Sequence, residues 1–210
     1  MFFRRYRKRT YGRPLRTRRT YRRKLRRKYR TRRIARQVAP ESKAYLTDVP
    51  QVAIPVTGNI YAVADIAQGA GVANRIGNRC VLTGISIKGF CNNGSANPHV
   101  IRLVLFKWKE AQAPTVATLL DNVDVNSPYY VNDSTQYVIL RDMKLSLSPV
   151  GNEGSLRNFT MSRKLKVNQQ YFDVNAADYT SGQIFLLVVS TNGVNTTDIA
   201  FQSIVRFIDT

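Results

Sequence analysis

The stretch Cys80-Val-Leu-Thr-Gly-Ile-Ser-Ile-Lys-Gly-Phe-Cys91 sets apolar and β-branched residues two positions apart. Successive side chains on a strand point to opposite faces, so this spacing reads as a half-buried β-strand. The same pattern recurs downstream at Val100–Trp108, Tyr137–Leu147, Leu156–Val167, Ile184–Ser190 and Ile199–Ile208. Upstream, Val52, Ile54 and Val56 alternate with small or polar residues, Thr57-Gly58-Asn59 breaks the run, and Ile60, Ala62, Ala64 and Ile66 resume it. Gly58 and Arg141-Asp142 are candidate breaks within two of these regions. Turn signals stand between them at Gly69–Gly71, Asn92-Asn93-Gly94, Pro149–Gly154 and Asn192-Gly193. Thr115–Asp121 alone reads as a short helix, with Ala117, Leu119 and Leu120 on its apolar side. Many short strands with almost no helix argue an all-β sandwich or barrel. The loops Trp108–Tyr137 and Val167–Ile184 are long for such a fold and are expected to carry function or contacts.

Cys80 and Cys91 fall on one predicted strand, eleven steps or roughly 36 Å apart at the strand rise. A disulfide needs Cα atoms within about 7 Å, so the two are not expected to pair. Buried thiols in a reducing compartment are the expectation. An odd separation puts them on opposite faces of the sheet unless a bulge intervenes. The one histidine, His99, follows Pro98 with neither His nor Cys beside it. It reads as a loop or strand-start residue rather than a metal ligand.

Charge is distributed very unevenly. The 210 residues hold 33 Lys+Arg and 13 Asp+Glu, a formal net charge of +20. Met1–Gln37 holds 16 Arg, 3 Lys and no acid, which leaves 14 basic and 13 acidic residues, or +1, for the remainder. This divides the chain into a basic arm, 1–40, and a body, 41–210, long enough to bury a core of its own. Charge of that density repels itself, so the free arm is expected to be disordered. Arginine forks onto phosphate oxygens and stacks on bases, and Tyr6, Tyr11, Tyr21 and Tyr29 add stacking surface. The composition is that of a sequence-tolerant nucleic-acid binder. Its candidate binding residues are Arg4, Arg5, Arg7, Lys8, Arg9, Arg13, Arg16, Arg18, Arg19, Arg22, Arg23, Lys24, Arg26, Arg27, Lys28, Arg30, Arg32, Arg33 and Arg36. Tyr21, Leu25 and Tyr29 form a narrow stripe for a helix induced by binding. Nuclear import, through an import receptor, is a second use of the same residues. No apolar run approaches the ~20 residues of a membrane span, so no membrane insertion is expected. The basic start is not followed by the apolar stretch of a secretory signal, and its charge density leaves no amphipathic face for a mitochondrial presequence.

No catalytic constellation emerges. Gly69-Ala-Gly71-Val-Ala-Asn74 lacks the third glycine of a dinucleotide fingerprint and precedes a strand. GxxxxGK[ST], GxSxG, HExxH and CxxC are all missing. Asp121 and Asp124 have a spacing common by chance, and the sequons at Asn93, Asn132, Asn158 and Asn195 lack a signal peptide to give them meaning. The expectation is a non-enzymatic protein with no metal and no cofactor.

A set of segments in the body, taken with the arm, resembles the single jelly-roll capsid proteins of small circular single-stranded DNA viruses. They are Gly58-Asn-Ile-Tyr with Ile66-Ala-Gln-Gly69, Asn74-Arg-Ile-Gly77 leading into Val81-Leu-Thr-Gly-Ile-Ser-Ile-Lys-Gly89, Arg102-Leu-Val-Leu-Phe-Lys107, Tyr137-Val-Ile-Leu-Arg-Asp142 and Val205-Arg-Phe-Ile-Asp209. Circovirus- and cyclovirus-like coats are nearest in this likeness, with geminivirus and satellite-virus coats looser relatives. The resemblance implies an all-β, eight-stranded antiparallel jelly-roll sandwich behind a disordered basic arm. It implies a virion shell of about 60 copies, T=1, with arms inside on single-stranded DNA and assembly in the host nucleus. Sixty arms at +19 carry roughly 1,100 positive charges, a match for a genome of order one to two kilobases. Two sheets packed face to face would take Val81, Ile85, Ile87, Leu103, Leu105, Leu186 and Val188 as core. Arg75, Arg79, Arg163, Lys164 and Lys166 are then candidates for the interior floor. Two other classes fit less well. A ribosomal-type protein with a basic tail usually carries cations over its folded surface too, and a cupin-like enzyme draws on several histidines.

Overall fold

The computed structural model describes residues 41–130, 135–171, 179–191 and 196–210. Its strands are β1 (Ser42–Ala53), β2 (Asn59–Ala62), β3 (Arg79–Asn93), β4 (His99–Trp108), β5 (Tyr137–Leu147), β6 (Leu156–Tyr171), β7 (Tyr179–Ser181), β8 (Ile184–Ser190) and β9 (Thr197–Asp209). They form two antiparallel sheets, in the orders β1-β9-β3-β6-β7 and β2-β8-β4-β5. Eight of them make the jelly roll, four to a sheet, and β7 adds a three-residue edge beside β6. A single helical turn, α1 (Val116–Leu119), follows β4; Thr115 caps it, and the side chains of Thr115 and Thr118 bond reciprocally to the turn's free N–H groups.

The first strand starts about ten residues before the alternation at Val52 announces it. In β1 the half-buried positions are Lys43, Tyr45, Thr47 and Val49, opposite Phe207, Val205, Ser203 and Phe201 of β9. Two of those four are polar, and the apolar Leu46 points outward, 56% exposed, so hydropathy alone masks the period. Gly58 does break the first region, in the left-handed conformation at φ +71°. Arg141-Asp142 does not break β5; the strand runs through, and its register against β4 slips at Leu140.

A bulge in β3 changes two expectations. Register against both β6 and β9 shifts between Leu82 and Gly84. Before the bulge the even residues Cys80 and Leu82 face the core; after it the odd residues Ile85, Ile87 and Cys91 do. An extra residue in a strand restores the inward phase in this way. Cys80 and Cys91 therefore lie on the same inward face, both buried and free, rather than on opposite ones. Val81 is correspondingly half-buried, and Leu82 takes the core place expected of it. Ile85, Ile87, Leu103, Leu105, Leu186 and Val188 are buried as expected. Full burial of one such aliphatic side chain is worth about 1.5–3 kcal/mol.

β4 and β8 are buried on both faces. Leu103 and Val188 are register partners on one face, Val104 and Leu187 on the other. The first face meets the five-stranded sheet, where Tyr61 of β2 packs edge-on against Phe201 of β9. The second face is covered by the segment after β4, whose Leu119, Leu120 and Val125 are buried.

Candidate nucleic-acid interface

The nineteen arm residues from Arg4 to Arg36 lie outside the described residues. The body cations can be placed, and they divide into two kinds. Arg75 and Arg102 are buried. Arg79, Arg163, Lys164 and Lys166 are exposed.

Arg75 is not on the floor of anything. It is 0% exposed, with its guanidinium carbon 3.8 Å above the ring of Tyr171. Nε donates to the Ile66 carbonyl at 3.1 Å and Nη1 to the Gly77 carbonyl at 2.6 Å, with further bonds to Gln68 Oε1 and Asn78 Oδ1. The Tyr171 hydroxyl donates to the Ala64 carbonyl and accepts the Ile66 N–H. One guanidinium thus supplies the donors that the non-strand backbone at 66–78 otherwise lacks. Lys43 extends this anchoring, donating to the Asn74 carbonyl at 3.0 Å and pairing with Asp209 at 2.7 Å.

Arg102 plays a similar part on the other sheet. Its Nη2 lies 2.7 Å from Asp142 Oδ2, and its Nη1 donates to the Ser127 carbonyl at 2.6 Å. Tyr129 donates its hydroxyl to the same carboxylate at 2.6 Å, and the guanidinium stacks 4.8 Å from its ring. Burial alone would raise the Asp142 pKa; the bonds from Arg102 and Tyr129 and the Arg102 charge bring it below the ordinary carboxylate range. Part of the long Trp108–Tyr137 loop is therefore tied to β4 and β5. Two of its acids are engaged locally: Asp124 accepts the Asn126 N–H, and Asp121 accepts from the Asn122 amide. Asn93, one of the sequon asparagines, is fully buried, its amide donating to the Asn97 and Ser148 carbonyls.

Three exposed cations, Lys88, Lys164 and Arg206, share the outward face of the five-stranded sheet. Register pairing sets three rows across β1, β9, β3 and β6: Ala44, Arg206, Gly84, Lys164; then Leu46, Ile204, Ser86, Ser162; then Asp48, Gln202, Lys88, Thr160. Gly84 stands between Arg206 and Lys164, and Ser86 bonds Ser162, Oγ to Oγ, at 3.3 Å. Small residues on the central strand leave a groove of about 800 Å³ there, lined by the outward-row cations Arg206, Lys164 and Lys88 and by residues of the inward row such as Ile85 and Arg163. No carboxylate lines it; Asp48 is on the same face but one strand beyond Gln202, in a neighbouring hollow. Lys164 is among the floor candidates of the sequence; Lys88 and Arg206 are not, and the near-neutral charge of the body hides them. Arg163 is exposed as well, but it pairs in register with the buried Ile85 and so belongs to the opposite row of β6 from Lys164.

Comparison of the fold with solved structures finds plant-virus capsids among others. Desmodium yellow mottle tymovirus aligns at TM-score 0.38 and 11% identity, covering 81% of this chain and 88% of that one. The empty head of turnip yellow mosaic virus aligns at 0.36 and 10%, covering 81% and 82%, and broad bean stain virus at 0.35 and 6%, covering 81% and 87%. Likeness at these scores adds nothing to the assignment. No curated protein sequence matches. The sequence model of the family described as "Satellite tobacco necrosis virus coat protein" matches residues 15–210. That match overturns the resemblance to single-stranded DNA virus coats and reverses its order, since satellite-virus coats stood there only as looser relatives. The segments that carried the resemblance are mostly alternating strands, which sheet geometry imposes on jelly rolls of any origin. A match over residues 15–210 makes this chain a member of the satellite tobacco necrosis virus coat protein family, a non-enzymatic viral coat protein that assembles into an icosahedral capsid.

Proposed function

We propose that the chain packages an RNA genome, with residues 1–40 as the nucleic-acid-binding arm and 41–210 as the shell domain of a T=1 particle of about 60 copies. The observation that carries this is the division of charge: 19 cations and no acid in Met1–Gln37, against a body near neutrality. Shell subunits pack against one another, and a neutral body meets its copies without long-range repulsion. The arm supplies the phosphate-neutralising charge instead. RNA takes the place of the DNA that the likeness to single-stranded DNA virus coats implied, because the family is that of a satellite RNA virus. Assembly in the nucleus rested on that likeness and loses its support with it.

Expression of the full chain with RNA, beside a chain beginning at Val38, tests the reading. Electron microscopy of the full chain should show closed shells whose nucleic acid is destroyed by ribonuclease after disruption and resists deoxyribonuclease. The chain lacking the arm should lose RNA affinity and its salt dependence. A full chain that stays monomeric across salt and concentration with RNA present would refute the proposal, as would an armless body that binds as tightly.

A further inference from the structure

We infer that the loop tip formed by Ala70, Gly71, Val72, Ala73 and Ile76, between β2 and β3, is a contact surface whose partner is a second copy of this chain. The inference goes beyond the packaging reading and rests on the capsid assembly of the family, whatever polymer is enclosed. Three observations carry it. The first is exposure. Val72 and Ile76 are 85% and 67% exposed, the highest values for large apolar side chains among the described residues. Ala70, Gly71 and Ala73 are exposed beside Val72, so the tip is apolar throughout. Turns ordinarily show polar residues to water, and a cluster of exposed apolar ones marks a surface that another protein covers. The second is charge. From Ala67 to Asn78 the one charged residue is Arg75, and its side chain is folded under the loop, 0% exposed. The tip therefore offers no cation to phosphate. Apolar residues depleted of charge are the composition of the core of a protein–protein contact.

The third is rigidity. Within the loop, the Gly69 N–H donates to the Arg75 carbonyl, the Arg75 N–H to the Ala67 carbonyl and the Asn74 N–H to the Gly71 carbonyl, each at 3.0 Å. Gln68 Nε2 donates to the Ile76 carbonyl at 2.9 Å. From outside, Asp209 Oδ1 accepts the Ile76 N–H at 3.3 Å and Lys43 holds the Asn74 carbonyl. Beneath, the Arg75 guanidinium holds the Ile66 and Gly77 carbonyls. Val72 and Ile76 are thus carried on a backbone already fixed in the free subunit, and docking them costs little further ordering. The small side chains at Ala70, Gly71 and Ala73 let a neighbour's backbone come close. The partner is a second copy because a capsid of this family is built by covering each subunit with its copies. A tip without exposed charge also has nothing to draw it to a nucleic acid or to an anionic membrane surface.

The test uses the full chain, as dissociated subunits and as assembled shells. Val72→Cys places one reactive thiol at the tip, since Cys80 and Cys91 are both buried. Maleimide should label that thiol rapidly in dissociated subunits and at least roughly tenfold more slowly in shells, because the core of an interface excludes water. A short oligouridylate added to dissociated subunits should leave the rate unchanged. Val72→Asp/Ile76→Asp should keep the urea midpoint and the salt slope of RNA binding of the parent chain and lose shells in electron microscopy. Val72→Ala/Ile76→Ala should raise the subunit concentration at which shells form by about tenfold or more, as truncating interface anchors does. Val72→Ile/Ile76→Val, which keeps the summed volume, should assemble like the parent. Equal labelling of the Val72→Cys thiol in subunits and shells would overturn the inference, and so would shells of the double Asp variant at the parent's concentration. Protection by the oligouridylate in dissociated subunits would overturn it too, by making the tip a nucleic-acid contact. A full chain whose shells hold no RNA would instead overturn the packaging reading and leave the contact standing.

Discussion

The guanidinium carbon of Arg75 lies over the ring of Tyr171, 3.8 Å from its centroid, and both side chains are buried. Tyr171 ends β6 and Arg75 belongs to the irregular segment before β3, so the stack fixes that segment to the sheet. Arg75→Ala leaves the Ile66 and Gly77 carbonyls short of donors in a buried site and removes the cation from the Tyr171 ring. An orphaned buried polar group costs about 1–3 kcal/mol, and the cation–π attraction adds to that, so destabilisation of about 3 kcal/mol is expected. Arg75→Lys should recover little, since one ammonium does not fork to both the Ile66 and Gly77 carbonyls from over the ring. Urea denaturation of dissociated subunits measures both. The salt slope of RNA binding should not change; a drop in slope with unchanged stability would show that Arg75 works as a phosphate ligand after all.

Gly89 and Gly84 stand on the same strand and should respond oppositely to the same change. A Cβ at Gly89 would lie 2.3 Å from the Ala200 carbonyl oxygen and 2.6 Å from the Phe201 Cβ, with the Phe159 ring at 2.9 Å. Backbone is the closest of these, so β3 and β9 must spread. Gly89→Ala is expected to cost about 1–3 kcal/mol, the range for overpacking. At Gly84 the nearest atom, the Arg163 carbonyl oxygen, is 3.6 Å away, which is ordinary van der Waals distance. Gly84→Ala should fold normally. Equal midpoints in urea for the two variants would contradict this account.

The strands were legible in the sequence because alternation is imposed locally. Ile85, Ile87, Leu103, Leu105, Leu186 and Val188 are where period two puts them. What alternation misses is a change of phase. The bulge at Leu82/Gly84 depends on what β6 and β9 do alongside, and it decides that Leu82 rather than Val81 is core. The first half of β1 was hidden by Lys43 and Thr47 on its inward face, residues that tertiary packing buries and composition does not. The groove was only half legible. Arg163 and Lys164 were singled out with Arg75, but nothing local distinguishes a cation that lines a surface from one folded under a loop. Lys88 and Arg206 join Lys164 only through register across three strands.

The thiols offer a test of the β3 phase. Burial pushes the Cys80 pKa up to about 12, with the Asp209 charge adding, and burial alone takes Cys91 to about 12. At pH 8 the thiolate fraction is then on the order of one part in ten thousand, and the thiolate is the reacting form. Native protein should show no reaction with Ellman's reagent at pH 8, and two thiols per chain in denaturant. One fast-reacting thiol in the native protein would place one cysteine on the outward face and the bulge elsewhere.

His99 opens β4 opposite Leu147 of β5, only 7% exposed, with its Nε2 buried and without a hydrogen-bond partner among the described residues. Burial disfavours the imidazolium and lowers the pKa below 6.5. The unfolded chain therefore binds this proton more tightly than the folded one. The neutral imidazole's share of stability is complete above pH 6.5 and is lost as pH falls through the folded pKa. Over that window the loss cannot exceed about 1.4 kcal/mol per pH unit for one group. Stability of dissociated subunits, measured by urea midpoint from pH 7.5 to 5, should fall more steeply for the parent chain than for His99→Gln. Carboxylates contribute equally to both, so the difference isolates the imidazole. As the chain has a single histidine, its one imidazole resonance reports the folded pKa directly by NMR. A resonance titrating at or above 6.5, or parallel pH profiles for the two proteins, would show that His99 is solvated or partnered in the folded subunit.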